Sequence, residues 1–169
     1  MSQVRVVSDE DVEDLVRLNR DVQALHATLY PNDFKQHADA EALRSLLIGL
    51  MADQAHVLAV HRNNGEAKGY VWFEVQERLE TALTPAGRRI YIHHIAVSEA
   101  YRRRGVASEL IQWAEEYGAS KGIHQVLLDH WIANGTAQAF FTGCGFSPLR
   151  IIMRKETSRV REGWQPRSG

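Results

Sequence analysis

Residues 101 to 110 read YRRRGVASEL: three consecutive arginines, a glycine, then a segment with helical spacing. A helix start already carries about half a unit of positive charge from unpaired N–H groups, so each cation placed there costs about 0.3–1 kcal/mol unless something compensates. Arg102, Arg103 and Arg104 therefore stand at the wrong end of the helix that follows them. An anion with several oxygens makes the arrangement sensible, taking hydrogen bonds from the helix N–H groups and charge from the guanidiniums. Gly105 lets the backbone approach such an anion closely, because it has no Cβ. The alternative is a solvated basic loop whose glycine merely enters a helix. The flanking sequence decides between them.

Upstream, Ile90 to Val97 (IYIHHIAV) is the most strand-like run in the chain and delivers the backbone into the arginine loop. The anion site thus lies at the carboxyl end of a strand. Downstream, Val106, Leu110, Ile111, Trp113, Ala114 and Tyr117 fit an amphipathic helix to about Ala119, with Lys121-Gly122 as a basic last turn and glycine stop. Val126 to Leu128 begins another strand. Strand, loop, helix and strand of this length predict a right-handed crossover joining two parallel strands. Asn134 to Thr142 reads as a further short helix closing at Gly143 or Gly145, and Phe146 to Arg154 (FSPLRIIMR) as a final strand.

The N-terminal half reads as strand, two helices and a hairpin. Val4 to Val7 is a short β-branched run, and Ser8 with Asp11 three positions later resembles an N-cap with an acidic partner. Apolar residues from Val12 to Leu29 keep helical spacing over about 9–29, until Tyr30-Pro31 ends the run. Ala42, Leu43, Leu46, Leu47 and Leu50 mark a second helix over about 38–52. His56 to His61 and Gly69 to Gln76, joined through Asn64-Gly65, predict an antiparallel pair. Residues 77–88 form a polar connection. The expected architecture is α/β (α+β) in one domain, residues 1–155, with a loosely ordered tail over 156–169.

Composition bounds the function. At 169 residues the chain buries about two thirds of its unfolded surface around one core. A formal net charge of −1 excludes a uniformly basic nucleic-acid surface, so the arginine cluster is local. One cysteine, Cys144, excludes an internal disulfide framework and fits a reducing compartment. The N-terminus lacks the apolar run of a signal peptide, and no stretch reaches the roughly 18 apolar residues that span a bilayer. The expectation is a soluble, cytoplasmic protein without a membrane or nucleic-acid partner. The eight histidines offer no familiar metal-ligand spacing with a companion carboxylate, so no metal is expected.

Ile95-Ala96-Val97, Tyr101 through Ala107, and Asn134 through Phe140-Phe141 to Gly145-Phe146 resemble the acetyl-CoA-binding half of the GNAT superfamily of N-acetyltransferases. That family's signature, Gln or Arg, two residues, Gly, one residue, then Gly or Ala, falls on Arg102, Gly105 and Ala107. The resemblance covers about residues 89–155. It implies a mixed, mostly antiparallel sheet with a splayed parallel pair flanked by helices. It makes acetyl-CoA the co-substrate and its pyrophosphate the anion, held by N–H groups from about Arg103 through Arg104, Gly105, Val106 and Ala107 to Ser108. Backbone groups of Ile95, Ala96 and Val97 would pair with the pantetheine arm like an added strand. Asn134 would contact the same arm, and its other reading is an N-cap.

Acetyl transfer to a primary amine by direct attack in a ternary complex needs a base near the strand before the arginine loop. His93 and His94 are candidates, and since adjacent strand residues point to opposite faces, one of the two is expected to face the acceptor. His93 is favoured, because a bulge common in this family's strand reverses the facing. Glu74, on the preceding strand, is the next candidate. Many relatives carry a tyrosine four residues before the final glycine as acid for the thiolate. Here that position is Phe141, which donates no proton. Cys144 reads as a small buried hydrophobe in preference to a nucleophile.

The resemblance also turns the end of the first helix and the following loop toward the acceptor, a small-molecule or peptide amine. His26, Tyr30, Asp33 and Phe34 are the residues there, with Asp33 able to hold an ammonium group. A homodimer is compatible with this reading. Two rivals stand beside it: a non-catalytic acyl-CoA-binding module, favoured by Phe141, and a nucleotide-cofactor oxidoreductase with Gly105 at the turn and Asp129 as ribose contact.

Overall fold

The chain begins with a strand tied to a helix start by one carboxylate. In the computed structural model, which describes residues 3–156, β1 spans Val4–Val6 and a single turn over Asp9–Asp11 leads into α1, Val12–Leu29. Asp11 is fully buried and accepts from the Ser8 N–H (2.8 Å), from both terminal nitrogens of Arg5 (2.7 and 2.9 Å) and from Arg62 Nε (2.8 Å). Burial alone would raise its pKa, but the hydrogen bonds from Arg5, Ser8 and Arg62 overcome this and hold the carboxyl well below the usual carboxylate range.

A folded pKa below the unfolded value of about 3.9 means this contribution is fully present above that pH and is lost progressively as pH falls from there through the folded pKa. Asp11→Asn is therefore expected to cost about 3 kcal/mol at neutral pH. Urea denaturation should show the gap to the parent protein closing below about pH 4. An equal gap at every pH would remove the assignment.

The remaining elements follow their signals. Proline ends α1 after Tyr30. Asp39 caps α2 (Ala40–Ala52), accepting from the Glu41 and Ala42 N–H groups. β2 (His56–Asn63) and β3 (Glu66–Arg78) meet at Asn64 and Gly65, whose φ values of 53° and 80° are those of a two-residue hairpin turn. β4 (Gly87–Val97) returns antiparallel to β3, leaving only 79–86 of the expected 77–88 connection outside the ladder. After α3 (Val106–Ser120), β5 (Val126–Leu128) pairs parallel to β4, and α4 covers Gly135–Gly143.

The sheet order is β1-β2-β3-β4-β5. One face packs Leu58, Val60 and Tyr70 against Leu15 and Leu18 of α1 and Leu47 and Leu50 of α2. The other packs Phe73, Ile90 and Ile92 against Leu110, Ile111 and Ala114 of α3, with Phe141 of α4.

One expected element is corrected: Phe146–Arg154 forms no strand. Pro148 lacks a ladder donor, and Arg154 is drawn to Asp33 at the end of α1 by an ion pair of 2.6 Å, so the segment meets no sheet edge. Leu149, Ile151, Ile152 and Met153 are left exposed. The tail expected over 156–169 lies, beyond residue 156, outside the described residues.

Candidate active site

β4 and β5 share only three register pairs, ending at Ile92 with Leu128. Beyond Ile92 the two strands part. Ile95, Ala96 and Val97 keep their β3 partners Val71, Tyr70 and Gly69, while their other edge has no β5 partner. Such a half-paired strand offers N–H and C=O groups to an extended ligand.

The chain leaves this notch through a turn at Glu99–Tyr101 and enters the arginine loop. Arg102 donates through Nε to the Val97 carbonyl at 3.4 Å. Arg103 (φ 59°) and Gly105 (φ 85°) both adopt the left-handed conformation, which turns successive N–H groups toward one side. No side chain caps the start of α3 at Val106, Ala107 and Ser108. The first turn therefore has orphan N–H donors, and Arg103 beside it has no ion pair among the described residues, the two features an anion site needs. Arg104 instead lies over the Tyr101 ring, 5.7 Å from its centre.

Asn134 Oδ1 accepts the Ala137 N–H as the N-cap of α4, leaving its Nδ2 hydrogens for a ligand. Burial pushes up the pKa of the Cys144 thiol. That environment suits an inert thiol. Phe141 is buried against Phe140 and Phe146. Glu109, in the first turn of α3, reaches the buried His61 Nε2 at 3.0 Å.

The opposite face of β3 and β4 carries the candidate bases His93, His94 and Glu74. Register shifts between Trp72 and Phe73, so Trp72 faces His94, Phe73 faces Ile92, and His93 bulges between them. His93 stacks on Trp72 (4.7 Å between ring centres) and His94 on Tyr70 (5.4 Å). Tyr70 and Trp72 alternate on one strand and share a face. Both histidines therefore lie on that face, correcting the expectation that only one would. The bulge accounts for it.

His93 Nε2 meets Glu74 Oε2 at 2.9 Å. A carboxylate only accepts, so this bond assigns the neutral imidazole's proton to Nε2 and leaves the Nδ1 lone pair free. Hydrogen bonds from Gln76, then from His93, hold the Glu74 pKa below its ordinary value. Glu74 is thus a weakened base and a good orienter. Trp72 Nε1 donates to His56 Nδ1 at 3.1 Å, which by the same logic puts the His56 proton on Nε2. His56, Glu74 and His93 place ligand atoms within 4.8 Å of one another, a trio the sequence spacing did not reveal. Within this trio Trp72 already occupies His56 Nδ1, and Glu74 bonds His93 Nε2. Burial pushes the His94 pKa down to about 4, and its shielded Nδ1 has no hydrogen-bond partner.

Of the residues expected on the acceptor side, His26 stands within electrostatic reach of His94 and 4.8 Å from the Phe34 ring. Trp131, unmarked in the sequence reading, contacts Phe34 (5.0 Å) and Tyr30 (4.5 Å). The Tyr30 hydroxyl accepts the Ala133 N–H. Asp33 is held by Arg154, and Asp129 accepts the Tyr91 hydroxyl. No helix among the described residues is long and apolar enough to cross a membrane.

Known proteins resemble this chain in sequence and in fold. An uncharacterized N-acetyltransferase in the pepI 3' region of Lactobacillus delbrueckii subsp. lactis is 22% identical over 143 residues, covering 83% of this chain and 82% of that protein. The BH1408 protein of Bacillus halodurans, as a tetramutant, superposes with a TM-score of 0.83 at 15% identity, covering 91% and 99% of the two chains. The aminoglycoside antibiotic 6'-N-acetyltransferase AAC(6')-IG of Acinetobacter haemolyticus gives 0.70 at 17%, covering 92% and 97%. At such identities these structures share the fold. Residues 19–146, from inside α1 through the arginine loop to Phe146, match the acetyltransferase (GNAT) family as a whole, and the chain belongs to that family.

Proposed function

We propose that this chain is an N-acetyltransferase, its catalytic domain spanning residues 1–155, that moves the acetyl group of acetyl-CoA to a primary amine by direct attack in a ternary complex. The observation that carries the reading is the junction of two features: a splayed β4 edge ending in the uncapped start of α3, and a dyad formed by His93 on the β4 bulge with Glu74 of the neighbouring β3.

Acetyl-CoA supplies an activated thioester. The α3 N–H groups with Arg102 and Arg103 would hold its diphosphate, and the 95–97 edge with Asn134 its pantetheine arm. His93 Nδ1 takes a proton from the ammonium or attacking amine, while Glu74 fixes the tautomer and balances the imidazolium that forms. Phe141, buried and apolar, contributes no proton to the departing thiolate. A thiol of pKa about 8.5 leaves acceptably without a dedicated acid.

The same Phe141 favours one second reading, an acyl-CoA-binding module without turnover. Calorimetry with acetyl-CoA against NAD, followed by thiol release over a panel of arylalkylamines, polyamines, aminoglycosides and peptides, separates the two. Aminoglycosides belong in the panel because they are named in two solved relatives. Binding with turnover of one class is expected. Binding without any turnover would leave the module reading, and no binding would remove both.

A further inference from the structure

The acceptor face is built of rings. Trp72, His93 and Tyr91 form one run, and His26, Phe34, Trp131 and Tyr30 a second, with neighbouring ring centres 4.5–5.0 Å apart. Tyr91 joins the two runs by its hydrogen bond to Asp129, two residues before Trp131. Core packing does not account for them: Tyr30, Phe34, Tyr91 and Trp131 belong to neither buried cluster, and each remains partly exposed. Two runs of partly exposed rings, bridged through Tyr91 and Asp129 beside a candidate base, make a binding surface.

The three carboxylates on this face all have hydrogen-bond partners. Asp33 is paired with Arg154, Glu74 with His93 and Gln76, and Asp129 accepts from Tyr91. Burial keeps both His26 and His94 toward the neutral form. A polyamine or aminosugar, whose several ammonium groups need several acceptors, would find Asp33 already ion-paired and one oxygen of each of Glu74 and Asp129 already bonded, whereas a single ammonium group needs only one acceptor.

Resting on the acetyltransferase reading, we propose that the acceptor is a primary amine borne on an apolar, ring-containing body, an arylalkylamine, whose ring lies against Trp131, Phe34 and Tyr30 while its nitrogen faces His93. Trp131 is then the specificity-determining residue, since it bridges the other two rings and is itself exposed.

The test is thiol release with tryptamine and phenethylamine against spermidine and kanamycin, in the parent protein and in Trp131→Ala, with Phe34→Leu as a second, milder variant. Tryptamine should show the highest kcat/KM, and Trp131→Ala should lower it about tenfold or more, mostly through KM, with acetyl-CoA affinity retained. Preference for spermidine or kanamycin, or an unaltered KM for tryptamine in both variants, overturns the proposal. Should no amine turn over, the acetyltransferase reading fails by itself. Calorimetric binding of tryptamine, spermidine and kanamycin to the CoA-saturated protein then decides the surface: tighter tryptamine binding that Trp131→Ala weakens supports it, and equal or weaker binding overturns it.

Discussion

Gly105→Asp is expected to raise the Kd for acetyl-CoA by more than about a hundredfold while the protein stays folded. The expectation rests on charge. Gly105 is the residue immediately before α3, where no side chain occupies the orphan N–H groups. A carboxylate there stands where the diphosphate is proposed to bind. At about 5 Å and an effective dielectric near 20, each like-charge pair costs about 3 kcal/mol, which is already more than two powers of ten in affinity. The fold has reason to survive, because a Cβ at this position would first meet Glu109 Oε1 at 3.8 Å, an ordinary contact with a flexible side chain.

The left-handed backbone at φ 85° adds about 1–2 kcal/mol of strain for any non-glycine residue, and aspartate tolerates it better than most. Gly105→Ala carries the strain without the charge and serves as the control. Its loss of affinity should be much smaller, and the gap between the two variants should shrink as salt is raised. Calorimetry that finds Gly105→Asp unchanged would place the anion elsewhere and remove the cofactor assignment.

The arginine loop was legible because its signals are local. Gly105 and a helix starting at Val106 follow from residue types within one turn, and both are found where the sequence puts them. The base was only half legible, because facing depends on ladder register, which a single inserted residue reverses. Without the bulge at His93, the rule of alternation allows one histidine on the acceptor face, and the structure has two. His56 was hidden in the same way. An ideal two-residue hairpin at Asn64-Gly65 sets it opposite Phe73, and the shift between His61 and Arg62 moves it opposite Glu74.

Trp131 joins Tyr30 and Phe34 across about a hundred residues of chain, a proximity that no spacing rule encodes. The final strand failed for the converse reason. FSPLRIIMR has the composition of a strand, but pairing needs an edge, and the Arg154 ion pair with Asp33 takes the segment to the end of α1.

His93→Ala is expected to lower kcat by about 10²–10⁴-fold with little change in acetyl-CoA affinity, the loss usual for a positioned general base. Two Glu74 variants separate its role from that of the histidine. Glu74→Gln keeps an oxygen that can accept the His93 Nε2 proton, so the tautomer survives while the countercharge disappears. Glu74→Ala removes both. If Glu74 orients and His93 transfers the proton, the order of damage is His93→Ala, then Glu74→Ala, then Glu74→Gln.

If Glu74 were itself the base, Glu74→Gln would be as inactive as Glu74→Ala, and His93→Ala would be the mildest of the three. The hydrogen bonds from Gln76 and His93 that lower the Glu74 pKa argue for the first order, because a carboxylate so stabilised in its ionised form is a poorer proton acceptor. The double variant supplies the last check. Residues that act as one unit are non-additive, so His93→Ala with Glu74→Ala should be no slower than His93→Ala alone. Strictly multiplicative losses would mean that the 2.9 Å contact between them holds no catalytic partnership.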